Sequence, residues 1–142
     1  MRLAVIDSNI ALSWFFPDEE SSAEATRLLV DFRANRVRLI VPSLWEYEVI
    51  NTLHVGVLRG RISRQEGDDY CQTLLDMNVE FHEFKLLALA ARKLAIRHNL
   101  TIYDASYLAL AELYRCEFYS FDKQLVKAAR KSGLIHLPEE FS

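Results

Sequence analysis

The stretch MRLAVIDSNIALSWFF, residues 1–16, decides the fold class of this 142-residue chain. Its apolar run Leu3 to Ile6 has the length of a buried strand and ends abruptly at Asp7. Asn9 to Phe16 predicts a short helix, which is followed by a break at Pro17. A buried strand that leads directly into a helix is typical of parallel sheets covered by helices. The opening of the chain therefore predicts an α/β fold.

The same alternation of strands and helices continues along the rest of the chain. Further strands are predicted at Val37 to Val41, Val79 to Phe84, Cys116 to Phe121 and Leu134 to Leu137. Further helices are predicted at Ala23 to Phe32, Leu44 to Leu58, Leu86 to Ile96, Tyr103 to Tyr114 and Lys123 to Lys131, and after the capping-box pair Ser63 and Glu66. We therefore predict one three-layer α/β domain over residues 1–142, in which a short parallel sheet is flanked by helices.

Composition excludes several broad classes of protein. Hydrophobic residues make up 51% of the chain and charged residues 26%, which is too apolar for a disordered protein. No apolar run is long enough to cross a bilayer, so we expect a cytoplasmic protein with no membrane partner. The net charge of -3 excludes nucleic-acid binding through a global positive field. Cys71 and Cys116 lie in apolar stretches and are expected to be buried free thiols.

Acidic residues lie at four places where the surrounding sequence is apolar or aromatic. They are Asp7 after LAVI, Glu48 within LWEYEVINTL, Asp104 within TIYDASYLALA and Asp122 after FYSF. A buried carboxylate needs a cation, a hydrogen-bond donor or a proton. Carboxylates that converge from separate elements suit a hard divalent cation, so we predict Mg²⁺, for which Mn²⁺ can substitute. The histidines lie in unrelated contexts, which argues against zinc.

Each of these acids also has a simpler interpretation. Asp7, Asp104 and Asp122 each stand at a predicted helix start, where Asp is a favoured N-cap. Glu48 lies inside a helix, so its alternative is a carboxylate that reaches solvent or pairs with an arginine. Asn51 shares a helix face with Glu48 and could equally be a surface amide.

Four segments occur in an order that covers nearly the whole chain: VIDSNIAL, VPSLWEYEVINTL, TIYDASYLALAE and YSFDKQL. In these segments the chain resembles PIN-domain ribonucleases of the VapC toxin type. The resemblance implies a parallel-sheet α/β fold and the cleavage of RNA with Mg²⁺ or Mn²⁺. It also implies a homodimeric toxin that a small antitoxin protein neutralises.

The resemblance also assigns residues to the site. Its acidic catalytic and metal-binding positions are matched by Asp7, Glu48, Asp104 and Asp122. Its supporting polar positions, which orient the acids or a water molecule, are matched by Asn9, Asn51 and Ser120. We expect Asp7 and Asp104 to hold the ion most directly. Glu48 would bind through water or act on the nucleophile, and Asp122 would complete the site or hold a second ion.

A basic stripe is predicted directly after Asp122. Lys123, Lys127 and Arg130 fall on one face of the helix that begins there, where they could contact RNA phosphates. Basic residues near a helix C-terminus also interact favourably with the helix dipole, so a solvated face is the simpler interpretation.

Two other enzyme classes also place an Asp at the end of a first strand. A phosphatase of the haloacid-dehalogenase type would need a second Asp where Asn9 stands, and a response-regulator receiver would need paired acids before an Asp on a middle strand. Neither pattern is present. A non-catalytic module with the same fold is disfavoured because no acid is missing, and a nuclease assay with added metal would decide it.

Large apolar residues are numerous enough to suggest partner surfaces as well as a core. They are Trp14, Phe15, Phe16, Trp45, Leu53, Val57 and Leu58. For most of them the simpler expectation is burial in the core.

Overall fold

A computed structural model describes residues 1–18 and 21–141. The strands are β1 (Arg2–Ile6), β2 (Val37–Pro42), β3 (Glu80–His82) and β4 (Glu117–Tyr119). The helices are α1 (Ser8–Ser13), α2 (Ala23–Arg33), α3 (Leu44–Leu58), α4 (Arg64–Asp76), α5 (Phe84–His98), α6 (Ile102–Tyr114) and α7 (Lys123–Arg130), and the short 3₁₀ helix Glu139–Phe141 follows. Within the described ranges, none of these helices has the length and apolar character needed to cross a membrane.

The described strands form one parallel sheet in the order β3-β2-β1-β4. β1 lies between β2 and β4, and Ala4, Val5 and Ile6 are fully buried there. A parallel strand covered on both faces has few positions for polar side chains, which explains the continuous apolar run. Helices pack against this sheet, so the predicted α/β fold with a short parallel sheet flanked by helices is confirmed.

The end of the sheet near β4 differs from the sequence prediction. The predicted strand Leu134 to Leu137 is wrong, because only His136 forms an isolated bridge, with Glu117. Pro138, two residues after His136, has no N–H to extend the ladder. β4 itself ends at Tyr119 instead of Phe121. The next backbone N–H groups, of Phe121 and Asp122, donate hydrogen bonds to the side chains of Asn9 and Ser120 instead of to a strand.

Most of the large apolar residues lie in the core, as expected. Phe16, Trp45 and Leu53 are buried, and Trp14, Phe15 and Val57 pack against the core while partly exposed. Leu58, at the end of α3, is 71% exposed and is the member of this set that belongs to the surface. The thiols are free as predicted, but Cys71 is only partly buried, whereas Cys116 is buried.

Candidate active site

The parallel order of the sheet brings Asp7 and Asp122 to the same edge. Asp7 directly follows β1, and Asp122 follows the neighbouring strand β4 by a short turn. Glu48 on α3 and Asp104 on α6 lie close enough that their charges interact with that of Asp7. The structure therefore brings the predicted acids together at the carboxyl edge of the sheet, as is general for sites in such folds.

Asp7 is the most buried acid of this group, with only 7% of its surface exposed. Its Oδ1 accepts a hydrogen bond from the Ser8 backbone N–H at 2.7 Å. Its Oδ2 accepts bonds from the Ser120 hydroxyl at 2.7 Å and from the Asn9 amide at 3.3 Å. Burial raises the pKa of Asp7 to about 6, although the Ser120 and Ser8 hydrogen bonds oppose this shift.

Asn9 and Ser120 also tie the end of β1 to the turn after β4. The side-chain amide oxygen Oδ1 of Asn9 accepts a hydrogen bond from the Phe121 backbone N–H at 3.1 Å. The Ser120 oxygen accepts one from the Asp122 backbone N–H at 3.0 Å while its proton points to Asp7. These two residues therefore have the orienting contacts expected of supporting polar residues.

The N-cap interpretation is correct for two of the three aspartates. Asp7 caps α1, and Asp122 caps α7 by accepting hydrogen bonds from Gln124 and Leu125 at Oδ1. Asp122 accepts both hydrogen bonds at one carboxylate oxygen, Oδ1, so capping leaves Oδ2 for a ligand. Capping and metal binding are therefore compatible in the same residue.

For Asp104 the N-cap interpretation is wrong. Thr101 caps α6 by accepting a hydrogen bond from the Asp104 backbone N–H at 3.1 Å. Asp104 lies in the first turn, and burial followed by the charge of Asp122 raises the pKa of its carboxyl group. Its carboxylate thus interacts with the charges of the other acids and is not needed to start the helix.

Glu48 neither reaches freely into solvent nor pairs with an arginine among the described residues. Its side chain is about half buried, and Oε1 accepts a hydrogen bond from the Tyr107 hydroxyl at 2.5 Å. Burial raises the pKa of Glu48, and the charges of Asp7 and Asp104 raise it further. Sequence reasoning missed Tyr107, although its position three residues after Asp104 on one helix was a usable signal.

Asn51 and the basic stripe lie outside this hydrogen-bonded group. Asn51 is exposed and, within the described part of the chain, makes no hydrogen bond to the acids. It lines a shallow surface pocket of about 380 Å³ on α3 instead. Lys123, Lys127 and Arg130 are exposed along α7, which begins beside Asp122.

The chemistry of the clustered acids suits a hard divalent cation. Their donor atoms are oxygens, the atoms that such cations prefer. The ion pairs found among the described residues involve acids outside this cluster, which are Asp18, Asp31, Glu80 and Glu117. Within residues 1–18 and 21–141, no group of three or more acidic, histidine or cysteine side chains is arranged to hold an ion as it stands. In donor chemistry alone, a set of carboxylate oxygens fits Mg²⁺ or Mn²⁺.

Sequence comparisons relate the chain to known proteins. A family model described as PIN domain matches residues 4–131. Ribonuclease VapC3 of Pyrobaculum aerophilum is 29% identical over 125 residues, which cover 87% of this chain and 92% of that protein. Ribonuclease VapC9 of Mycobacterium tuberculosis is 34% identical over 110 residues, which cover 75% of this chain and 85% of that protein.

Solved structures share the fold at low sequence identity. The crystal structure of PAE2754 from Pyrobaculum aerophilum matches with a TM-score of 0.69 at 17% identity, over 98% of this chain and 91% of that chain. The crystal structure of VapBC2 from Rickettsia felis, bound to a DNA fragment from their promoter, matches with a TM-score of 0.64 at 11% identity. That match covers 96% of this chain and 97% of the other.

Proposed function

The chain belongs to the PIN-domain family, and on that premise we propose that it is a ribonuclease that cleaves RNA phosphodiester bonds with Mg²⁺ or Mn²⁺. We further propose that it acts as the toxin of a toxin–antitoxin pair. Relatives with the names Ribonuclease VapC3 and VapC9 support the activity. A single domain over residues 1–142 and a cytoplasmic location belong to the same proposal.

The observation that carries the proposal is a concentration of negative charge at one edge of the sheet that no arginine or lysine pairs with among the described residues. The pKa values of Asp7, Glu48 and Asp104 are all raised, first by burial and then by neighbouring acids. A purely structural cluster would be relieved by an arginine or lysine, as happens to acids elsewhere in this protein. Charge left unbalanced in this way favours a bound cation.

The site residues have distinct parts in the proposed reaction. Asp7 and Asp104 would hold the ion most directly, and Asp122 would complete the site or hold a second ion. Glu48 would bind through water or accept a proton from the attacking water. When bound, the ion would balance the charge that develops on the phosphate. Ser120 and Asn9 keep Asp7 oriented through their hydrogen bonds.

The basic stripe of Lys123, Lys127 and Arg130 is proposed to hold the RNA backbone. These side chains are exposed, and the described part of the chain offers them no ion pair. Because the acidic edge repels phosphate, cations beside it are needed to keep a strand in place. Asn51 stays a predicted supporting residue of the site.

The proposal includes two protein partners. The VapBC2 structure is named as a complex bound to promoter DNA, which supports an antitoxin partner for this chain. Exposed apolar side chains support a homodimer, because surfaces of this kind mark interaction sites. They include Tyr47, Leu58, Leu86, Leu89 and Ile96, each at least 69% exposed. Light scattering on the purified chain tests the dimer directly.

A cleavage assay tests the proposed activity. Purified protein should cut RNA with added Mg²⁺ or Mn²⁺ and stop in excess EDTA, because carboxylates alone offer no positive charge to the transition state. Added metal should also raise the melting temperature, since it binds the folded state. Cleavage that persists in chelator, or a melting temperature that ignores both ions, would contradict the metal-dependent mechanism.

Expression in cells tests the toxin role separately. Induction of the chain alone should restrain growth, and coexpression of a short protein encoded beside it should restore growth. Mapping new RNA 5′ ends after induction would identify the target RNA. Normal growth despite active RNA cleavage would favour a processing nuclease over a toxin.

A further inference from the structure

Tyr107 is a fully buried tyrosine on α6 whose hydroxyl reaches the candidate active site. It donates a hydrogen bond of 2.5 Å to Oε1 of Glu48, which is 59 residues away along the chain. Asp104 lies three residues before it on the same helix, so both side chains occupy one face of α6. Tyr107 thus joins the helix that carries Asp104 to the helix that carries Glu48.

Glu48 depends on this bond more than Asp7 or Asp122 depends on any single partner. Asp7 accepts hydrogen bonds from three groups, and Asp122 is held by backbone N–H groups of α7. Among the described residues, Tyr107 is the hydrogen-bond donor to the Glu48 carboxylate. A glutamate side chain has several rotatable bonds, so its carboxylate needs an external contact to stay in one orientation.

We infer that Tyr107 is a positioning residue, whose hydroxyl holds Oε1 of Glu48 and so leaves Oε2 to serve the metal site shared with Asp7 and Asp104. This inference rests on the proposed function. In this role Tyr107 acts through its hydrogen bond to Glu48 and would not itself bind the ion or the RNA. Partners of this kind fix the geometry of the metal ligands and commonly change metal affinity when they are removed.

A merely structural role for the hydroxyl makes a different prediction. A buried hydroxyl needs a hydrogen-bond partner. In a merely structural role, Glu48 would satisfy the Tyr107 hydroxyl, and Tyr107 would not set the position of the Glu48 carboxylate. Removing the hydroxyl would in that case change stability without changing metal affinity. Metal affinity, measured apart from RNA cleavage, therefore distinguishes the two roles.

Binding of Mn²⁺ alone to the full chain, measured by isothermal titration calorimetry, tests the inference. Tyr107→Phe keeps the ring and removes the hydroxyl, and its affinity should fall about 10- to 100-fold. Tyr119→Phe is a matched control, because the buried Tyr119 also donates to a glutamate, Glu117, at 2.8 Å. Glu117 lies at the start of β4, away from the acids, so this variant should bind Mn²⁺ within about 2-fold of the unaltered chain.

A double-substitution cycle shows whether Tyr107 acts through Glu48. In a Glu48→Ala background, Tyr107→Phe should cause no further loss of Mn²⁺ affinity. An equal loss in both backgrounds, or an unchanged affinity for Tyr107→Phe alone, would overturn the inference. If the unaltered chain binds no Mn²⁺, the proposed function fails and this inference fails with it.

A second variant covers the case in which Tyr107→Phe does not fold. Glu48→Asp shortens the side chain by one methylene, so its carboxylate cannot keep the bond to Tyr107 and also reach the same metal position. It should lose Mn²⁺ affinity to a similar extent. Full Mn²⁺ affinity in a folded Glu48→Asp variant would show that metal binding does not depend on where Tyr107 holds the carboxylate of residue 48.

Discussion

Acids at the two edges of the sheet have opposite surroundings. At the amino edge, Arg2 forms ion pairs with Glu117 at 2.8 Å and with Asp31 at 2.7 Å. At the carboxyl edge, Asp7 and Asp104 have no such ion pair within the described residues. Arg2 opens β1 and Asp7 follows its end, so roughly 16 Å of one strand separates the two arrangements.

The difference appears in the pKa values of the acids. At the amino edge, the hydrogen bond from Arg2 lowers the pKa of Asp31, and Arg36 lowers it further. At the carboxyl edge, burial raises the pKa of Asp7 to about 6. Acids paired with arginine, such as Asp31, stabilise the folded chain. Buried acids without such a pair, such as Asp7, keep their charge available for a ligand. Changes at the two edges should therefore have different consequences.

The largest expected effect is on RNA cleavage. Asp7→Asn should lower the rate in Mg²⁺ or Mn²⁺ on the order of 1,000-fold, because the amide supplies no charge to hold the ion. Asp31→Asn changes the same residue type at the opposite edge and should stay within about 2-fold of the unaltered chain. Comparable losses in the two variants would mean that the edges do not differ in function.

The next effect concerns the metal-free stability. The pKa of Asp7, about 6 in the folded state, lies above its ordinary value of 3.8, so the folded chain binds more protons between these pH values. Stability contributed by this group therefore falls as the pH rises from about 4 to 6. Asp7→Asn removes that loss and should raise the free energy of unfolding at pH 7 by about 1–3 kcal/mol, with little change at pH 4.

Urea titrations in EDTA at both pH values measure this change. Asp31→Asn should behave in the opposite way, because a lowered pKa gives stability at neutral pH that is lost as the pH falls. With Mn²⁺ added, Asp7→Asn should gain less stability than the unaltered chain. An Asp7→Asn variant that is no more stable in EDTA and gains as much from metal would identify Asp7 as only a helix cap.

A smaller effect is expected from breaking the amino-edge network. Arg2→Gln removes the ion pairs to Asp31 and Glu117, and it should lower the free energy of unfolding by roughly 1 kcal/mol because Arg2 is partly exposed. The melting temperature in EDTA should then fall by about 3 °C. Mn²⁺ affinity should not change, and a change in it would show that the two edges are coupled through β1.

The smallest effect is expected for the basic stripe. Lys127→Gln should weaken RNA binding about 3-fold and reduce the slope of affinity against salt concentration by about one. Its melting temperature should stay unchanged, unlike that of Arg2→Gln, since Lys127 is exposed and forms no ion pair among the described residues. Fluorescence anisotropy on catalytically inactive Asp7→Asn protein measures the binding, and an unaltered salt slope would exclude Lys127 from the RNA path.

Local patterns were enough to predict most of the elements. Leu44–Leu58 and the capping box at Ser63 and Glu66 agree with the structure, because helix periodicity and caps involve neighbours along the chain. The sequence also predicted that acids at strand ends converge, since sites in parallel sheets form at the carboxyl ends of strands. The simpler interpretation of Asp104, as the cap of α6, proved wrong because Thr101, three residues earlier, provides that cap.

Other features depended on contacts that no local pattern contains. The strand predicted from Leu134 to Leu137 is reduced to a single bridge at His136. Strand pairing depends on the backbone N–H and C=O groups of the partner strand, and here only His136 bonds to Cys116 and Phe118 among the residues of that segment. The arginine network at the amino edge joins Arg2 to Glu117 across 115 residues. Neither relation has a spacing that a single sequence reveals.

The amino-acid sequence by itself determined the α/β class, the positions of the buried strands and the acids that follow them. These properties arise from hydrophobic periodicity and from strand ends, which are set within a few residues. Only the tertiary structure decided which acids are paired with arginine and which are not, and that Tyr107 holds Glu48. Those outcomes depend on contacts between residues far apart in the chain, such as Arg2 and Glu117, 115 positions apart, or Glu48 and Tyr107, 59 apart, which packing of the whole sheet and its helices determines.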